Sequence, residues 1–420
     1  MAQAVKVVNG TLSATSGGTT DFTSSGFGTP SAAIILWCNA NTTNNPQNDA
    51  EIGVGFWDGT NQRCVAARST DNVATSATAR GSDDSYGVIS GPTQTAYTVS
   101  SVTDGIRLTL SVDGTALQRY CTVILLIGIS ASAISITTNT TQNSATTVSG
   151  LAFAPELVFF GCIGAGSADI AISTTTAVLS FGFAEIGGVH RMSAWGSQTA
   201  QADEVSNILY SESRCVAQIT ANATTWTGEV TSWNSDGFAL TTRDGSSGAD
   251  VCFALALGGA DLSYDVGTLT TATATGVQTN ATDVTPQGLL VALTTSPDTS
   301  LQTTSTGADG IIFGAADASA SHSHSLVVSD GAGTTDTKSY YGGPFNDFLE
   351  LGSVGNFIAN LLVNTDPAVL NTNDFQLDYL TVSATARKGW WVAFGPVPSA
   401  GGGVGHRVVG GGWGGRTIGH

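Results

Sequence analysis

Short apolar runs closed by glycine or opened by proline recur along the whole chain, and the stretches between them alternate Thr, Ser and Val with polar residues at a period of two. That period places successive side chains on opposite faces of a strand, and no stretch longer than about ten residues shows convincing helical spacing. The chain therefore reads as all-β. Fully apolar runs such as Leu157 to Phe160 suit strands covered on both faces, as in a sandwich core.

The runs fall into an order that repeats. A proline precedes an apolar strand at Pro30 to Trp37, Pro155 to Gly161 and Pro286 to Leu293, and a Gly/Phe strand follows about 25 residues later, at Gly53 to Phe56, Phe181 to Ala184 and Ile311 to Gly314. A second strand begins near Asp104, Asp236 and Asp374. About 15 residues after it comes a Gly-bounded block: Tyr120 to Gly128, Val251 to Gly258 and Gly389 to Gly395. These last two strands read as an antiparallel hairpin in each copy. Four anchors in one order, three times, predict three tandem β-sandwich-like domains, jelly-roll or similar antiparallel, over residues 1–130, 140–260 and 270–396. The connectors Ser130 to Thr147 and Asp261 to Thr279, nearly all Thr, Ser, Ala, Asn and Gln, are expected to be extended linkers or edge strands.

Composition supports a folded chain. With 420 residues it exceeds a single ordinary core, and 41% hydrophobic content with 11% charge is unlike a disordered polymer. The net charge of −18 excludes phosphate-driven nucleic-acid binding and attraction to an anionic membrane, so neither partner is expected. Met1 to Gly10 does not read as a secretory signal, and the weakly polar run Cys121 to Ile136 is too short and too interrupted to cross a membrane as a helix.

Residues 397–420 depart from the rest: ten of 24 are Gly, and no Asp or Glu follows Asp378. This basic, Gly-rich arm reads either as a disordered tail or as a docking strap, with Val408, Val409 and Trp413 favouring docking. The partner-docking candidates are Arg387, Lys388, His406, Arg407, Trp413 and Arg416.

Catalytic chemistry is hard to find. Cys38, Cys64, Cys121, Cys162, Cys215 and Cys252 form no C-x-x-C pair and read mainly as buried thiols, with Cys38–Cys121 or Cys162–Cys252 disulfides as the alternative. His322 and His324 alternate, which puts both imidazoles on one strand face. Without further ligands they read as solvent-facing or interface residues more readily than as a metal site. The Asp-Gly steps at Asp58, Asp113, Asp244 and Asp330 suit turns, because none completes a calcium loop. Trp57, Trp195, Trp226 and Trp233 are either a sugar-binding platform or core. No nucleophile elbow or phosphate loop is present, so no catalytic residue, cofactor or metal is expected.

In low Lys content, tandem Thr/Ser/Gly-rich β domains and a short Gly-rich terminus, the chain resembles bacteriophage virion structural proteins, in particular capsid decoration (cement) and head- or tail-fibre proteins. The resemblance is one of style over the whole length. It implies a non-enzymatic virion component assembled in the host cytoplasm, docked on a major capsid or tail protein and possibly on copies of itself. The other reading is a fibre-associated adhesin that binds host-surface glycan. Three like domains in one chain imply a pseudo-threefold body or a row.

Overall fold

A computed structural model describes residues 2–398 apart from 70–76, 83, 85, 91–92, 113–118, 165–169, 175, 199–204, 221–222, 246–248, 302–307, 330–336, 343–347, 353–360 and 367. The described residues contain strands and no helix. In chain order the first unit holds β1 (Ala4–Thr11), β2 (Thr19–Thr23), β3 (Ala32–Cys38), β4 (Gln47–Asn48), β5 (Ala50–Trp57), β6 (Gln62–Ser69), β7 (Ala77–Ser82), β8 (Tyr86–Ser90), β9 (Thr93–Val102), β10 (Gly105–Val112) and β11 (Tyr120–Ile127). The second holds β12 (Ser130–Thr137), β13 (Ala145–Val148), β14 (Pro155–Cys162), β15 (Ile170–Thr174), β16 (Thr176–Glu185), β17 (His190–Gln198), β18 (Val205–Ser211), β19 (Val216–Thr220), β20 (Ala223–Asn234), β21 (Gly237–Asp244) and β22 (Val251–Gly258). The third holds β23 (Tyr264–Thr270), β24 (Gly276–Ala281), β25 (Gly288–Thr294), β26 (Ala308–Asp317), β27 (Ala320–Ser329), β28 (Thr337–Gly342), β29 (Glu350–Gly352), β30 (Leu361–Thr365), β31 (Val369–Leu370), β32 (Asp374–Val382) and β33 (Lys388–Phe394).

Each unit pairs a large inner sheet with a smaller outer one, all antiparallel, and the strand order repeats. The inner sheets run β1-β11-β3-β5-β6-β7, β12-β22-β14-β16-β17-β18 and β23-β33-β25-β26-β27-β28; the outer sheets run β2-β10-β9-β8, β13-β21-β20-β19 and β24-β32-β30-β29. The two strands read as a hairpin are not one. β10 and β11, β21 and β22, and β32 and β33 belong to opposite sheets, so their short connections turn the corner of a sandwich. Period-two alternation fits either arrangement, because a sandwich strand also buries one face. The polar stretches expected to connect units contain β12, β13, β23 and β24, all edge strands of their sheets.

The units close on one another in a ring. β4, in the β3–β5 connection of the first unit, adds to β28 of the third, and β15, in the corresponding connection of the second, adds to β7 of the first. In the third unit Leu301, in the same connection, packs on Val178, Met192, Ala194, Leu209 and Ile219 of the second. Each unit thus reaches to the one before it, and the cycle returns to its start.

The ring has a shared centre. The inner strands alternate sides: Ala33, Ile35 and Trp37 of β3 fill the first unit's own sandwich, whereas Ile34 and Leu36 join a core to which all three units contribute. Phe181 sits there, with ring centroids 6.2 Å from Phe56 of the first unit and 5.1 Å from both Phe313 and Trp390 of the third. Removal of this much apolar surface from water is the main force holding the units together.

Glycine matters where strands approach closely. A Cβ on Gly105 would lie 2.0 Å from the Phe22 carbonyl oxygen, and one on Gly237 would lie 1.9 Å from that of Val148. The Asp-Gly steps opening β10 and β21 are therefore required by the neighbouring edge strand as well as by the turn.

Candidate functional site

The chemistry-bearing residues converge on the seams between units, above all where the third unit meets the first. His322 and His324 lie on one face of β27, and both are fully buried against Tyr341 of β28. The Tyr341 hydroxyl donates to or accepts from His322 Nδ1 at 2.8 Å and accepts from Asn9 Nδ2 of the first unit at 3.1 Å. His324 Nε2 lies 2.9 Å from Thr122 Oγ1 of β11, and Tyr120 stacks on Tyr341 at 4.5 Å. Thr122 stands opposite Leu36, where the other units carry large aromatics at the same register: Phe253 opposite Gly161 and Trp390 opposite Ala292. The small Thr122 gives His324 its room.

Burial shifts these groups away from charge. Loss of solvation lowers His322 to about 4 despite the carboxylate of Asp317, and lowers His324 well below 6.5, with His322 adding to the effect. Burial pushes the neighbouring Cys38 thiol up to about 12 and raises the Tyr341 hydroxyl. Both imidazoles are therefore neutral near pH 7 and sealed from solvent. They can lock two units together but cannot reach a substrate. None of the six cysteines is in a disulfide and all are buried, and Cys162 and Cys252 stand directly opposite each other as thiols on adjacent strands.

Carboxylates tie the seams through backbone amides. Asp317 Oδ2 accepts from Val7 N at 2.8 Å and pairs with Lys6 at 3.0 Å, joining the third unit to the first. At the equivalent turn of the first unit, Asp58 Oδ2 accepts from Ala133 N of the second at 2.8 Å, while Oδ1 holds the turn amides of Thr60 and Asn61. In the second unit this position is Glu185, whose longer side chain curls back to Gly187 N and Val189 N of its own turn. That seam relies on Ser206 Oγ to Asp309 at 2.9 Å and on Arg191 Nε and the Tyr210 hydroxyl, both directed to Thr268 Oγ1. Tyr210 and Tyr341 occupy the same register in their units, opposite Ser193 and His324. The first-to-third seam also holds the Arg119–Glu51 ion pair, 3.8 Å apart and almost wholly buried. Sequence inspection missed these tyrosines, Asp317 and the ion pair, because the group each one meets at the seam lies more than 50 residues away along the chain.

The remaining candidates divide. Arg387 donates to the Thr295 carbonyl and Lys388 Nζ to Thr270 Oγ1 at 2.9 Å, so both cations are engaged within the third unit. His406, Arg407, Trp413 and Arg416 lie outside the described residues, as do the Asp113 and Asp330 steps. Trp57, Trp195 and Trp226 are buried, and half-buried Trp233 packs on Phe238. A shallow crevice of about 490 Å³ where the first and second units meet is lined by Asp58, Asn61, Ser130, Ser132 and Phe153. Its one carboxylate is already engaged, because Asp58 accepts four hydrogen bonds from protein.

No protein-family model, curated protein or solved structure matches this chain.

Proposed function

We propose that this chain is a non-enzymatic structural component of a phage particle, a decoration or cement protein seated on the outside of the shell. The observation that carries the reading is the ring itself. One chain builds, around a single shared core, the body that three separate subunits would otherwise have to assemble. Such a body offers three similar backbone surfaces about one axis, which suits a site where shell subunits meet in threes. Interlocked sheets resist mechanical load, and the charge of −18 keeps free copies apart before they dock.

The inaccessible histidines and thiols support a role without catalysis, since a general base or nucleophile must reach its substrate. Three of the four tryptophans weighed as a sugar platform are buried, which favours the structural reading over the glycan-binding one. With Arg387 and Lys388 engaged inside the third unit, docking by a terminal strap rests on residues 397–420.

Electron microscopy of particles that carry the chain tests this. The expected result is a stoichiometric ring of three sandwiches on the outer surface, with its axis on a symmetry axis of the shell. Purified particles without the chain, or with only a few internal copies, would refute the proposal. A chain ending at Pro398 that binds particles as well as the full chain would refute the strap alone.

A further inference from the structure

Among the described residues only a few large apolar side chains stand open to solvent, and three of them share one face. Val277 is 60% exposed, Val369 54% and Leu380 49%. Register puts them together on the outward side of the third unit's outer sheet. Val277 pairs with Asp378, two residues from Leu380 on the same face, and Val369 pairs with Gln376. The inward side of the same strands carries Phe375, Leu377 and Tyr379, all in the sandwich core.

The strand bordering this patch is an open edge. Among the described residues β24 pairs with β32 on one side only, and its six residues, Gly-Val-Gln-Thr-Asn-Ala, include no charge and no proline. Edge strands are normally blunted by charge, shortness or cover, because their free amides and carbonyls will pair with any extended chain. The equivalent edges are treated in that way. β2 carries Asp21, held by Arg107 at 2.6 Å, and β13 is four residues long and lies beside Arg243, which is bound to Glu229 and Asn143. β24 has neither protection.

We propose that this edge receives the chain's own C-terminal segment, with Val404–Val409 added to β24 as an antiparallel strand. Three observations select this occupant. The first is position: the chain leaves the third unit at Pro396, whose carbonyl accepts from Thr285 N at 2.8 Å, only four residues past the end of β24. A segment starting there and lying along β24 runs from Ala281 toward Gly276, which is the antiparallel direction. The second is length: residues 397–403 span up to about 23 Å when extended, enough to reach the edge, and Val404–Val409 has the six residues that β24 has. The third is chemistry: the segment reads Val-Gly-His-Arg-Val-Val, so that an extended strand would carry Arg407 and Val409 on one face, and the outward face beside β24 holds Asp374 and Asp378 next to the apolar patch. Main-chain hydrogen bonds would supply the affinity and the valines the cover, at the high effective concentration that a short tether provides. The inference does not depend on any particle, since it concerns the free chain.

Hydrogen exchange on the full chain tests it. The amides of 404–409 and of β24 are expected to exchange at least about tenfold more slowly than in an unstructured peptide of the same sequence. This protection should not change on dilution. Val277→Asp with Leu380→Asp, both at exposed positions, should abolish protection in 404–409 while leaving β33 protected, and Arg407→Glu should reduce it. Peptide-like exchange of 404–409 in the unaltered chain would overturn the proposal. So would protection that survives the double substitution, or protection that appears only at high concentration alongside a sedimenting dimer, which would assign the edge to a second copy.

Discussion

Phe181→Ala tests whether the ring is one cooperative structure. The ring of Phe181 is fully buried and lies 5.1 Å from Phe313 and from Trp390, both across a seam, and 6.2 Å from Phe56 across another. Truncating a buried phenylalanine costs about 3 to 5 kcal/mol, and edge-to-face pairs add about 0.5 to 1.5 kcal/mol each, so about 5 kcal/mol is expected. If all 420 residues unfold together, the unfolding entropy is about 0.9 kcal/mol/K, and the melting temperature should fall by about 5 to 6 °C in a single transition. If the second unit melts alone, the same energy spread over about 130 residues would lower its own transition by about 18 °C and leave the others in place. Differential scanning calorimetry separates the two. Phe22→Ala, buried within the first unit's sandwich, is the matched control for a site that spans no seam. A split thermogram for Phe181→Ala, with one early transition and two unchanged ones, would refute the shared core as the element that makes the units cooperative.

Stability should fall on mild acidification. Burial lowers the folded pKa of His190, His322 and His324, so the unfolded chain binds protons that the folded chain excludes. The contribution is full above the unfolded value of 6.5 and is lost as the pH drops toward 4, at up to about 1.4 kcal/mol per pH unit for each histidine. Glu156, Asp250 and Asp265, raised by burial, act in the opposite sense, so the informative measurement is the difference in urea midpoint between pH 7 and 5. It should shrink in a His322→Phe, His324→Leu variant, and an unchanged difference would contradict the burial argument. Gly105→Ala should cost several kcal/mol in denaturant melts because the new Cβ meets backbone, whereas Gly17→Ala, with open space around it, should cost only about 1 kcal/mol for its positive φ. The six thiols should resist an aromatic disulfide reagent in the native protein and react together on unfolding; stoichiometric labelling of the folded chain would contradict their burial.

Several features were legible along the chain because they are local. Alternation and apolar runs specified strands such as Ala32–Cys38 and Pro155–Cys162, and Asp58–Gly59 specified a turn, since these depend on side-chain period and on φ alone. Ser-His-Ser-His-Ser announced two imidazoles on one strand face. Their burial did not show, because it depends on Thr122, some 200 residues away, standing where the other units place Phe253 and Trp390.

The order of residues was enough to dictate that this chain is built of strands and that its apolar faces must be covered. It left open what covers them, because hydrophobic attraction has no direction and any apolar surface satisfies it. Packing in three dimensions selected the partners: Ile34 and Leu36 meet strands of two other units, while Ala33, Ile35 and Trp37 meet their own outer sheet. In the same way, register across hundreds of residues, which no local pattern encodes, carries β4 and β15 out of their own units to extend a neighbour's sheet.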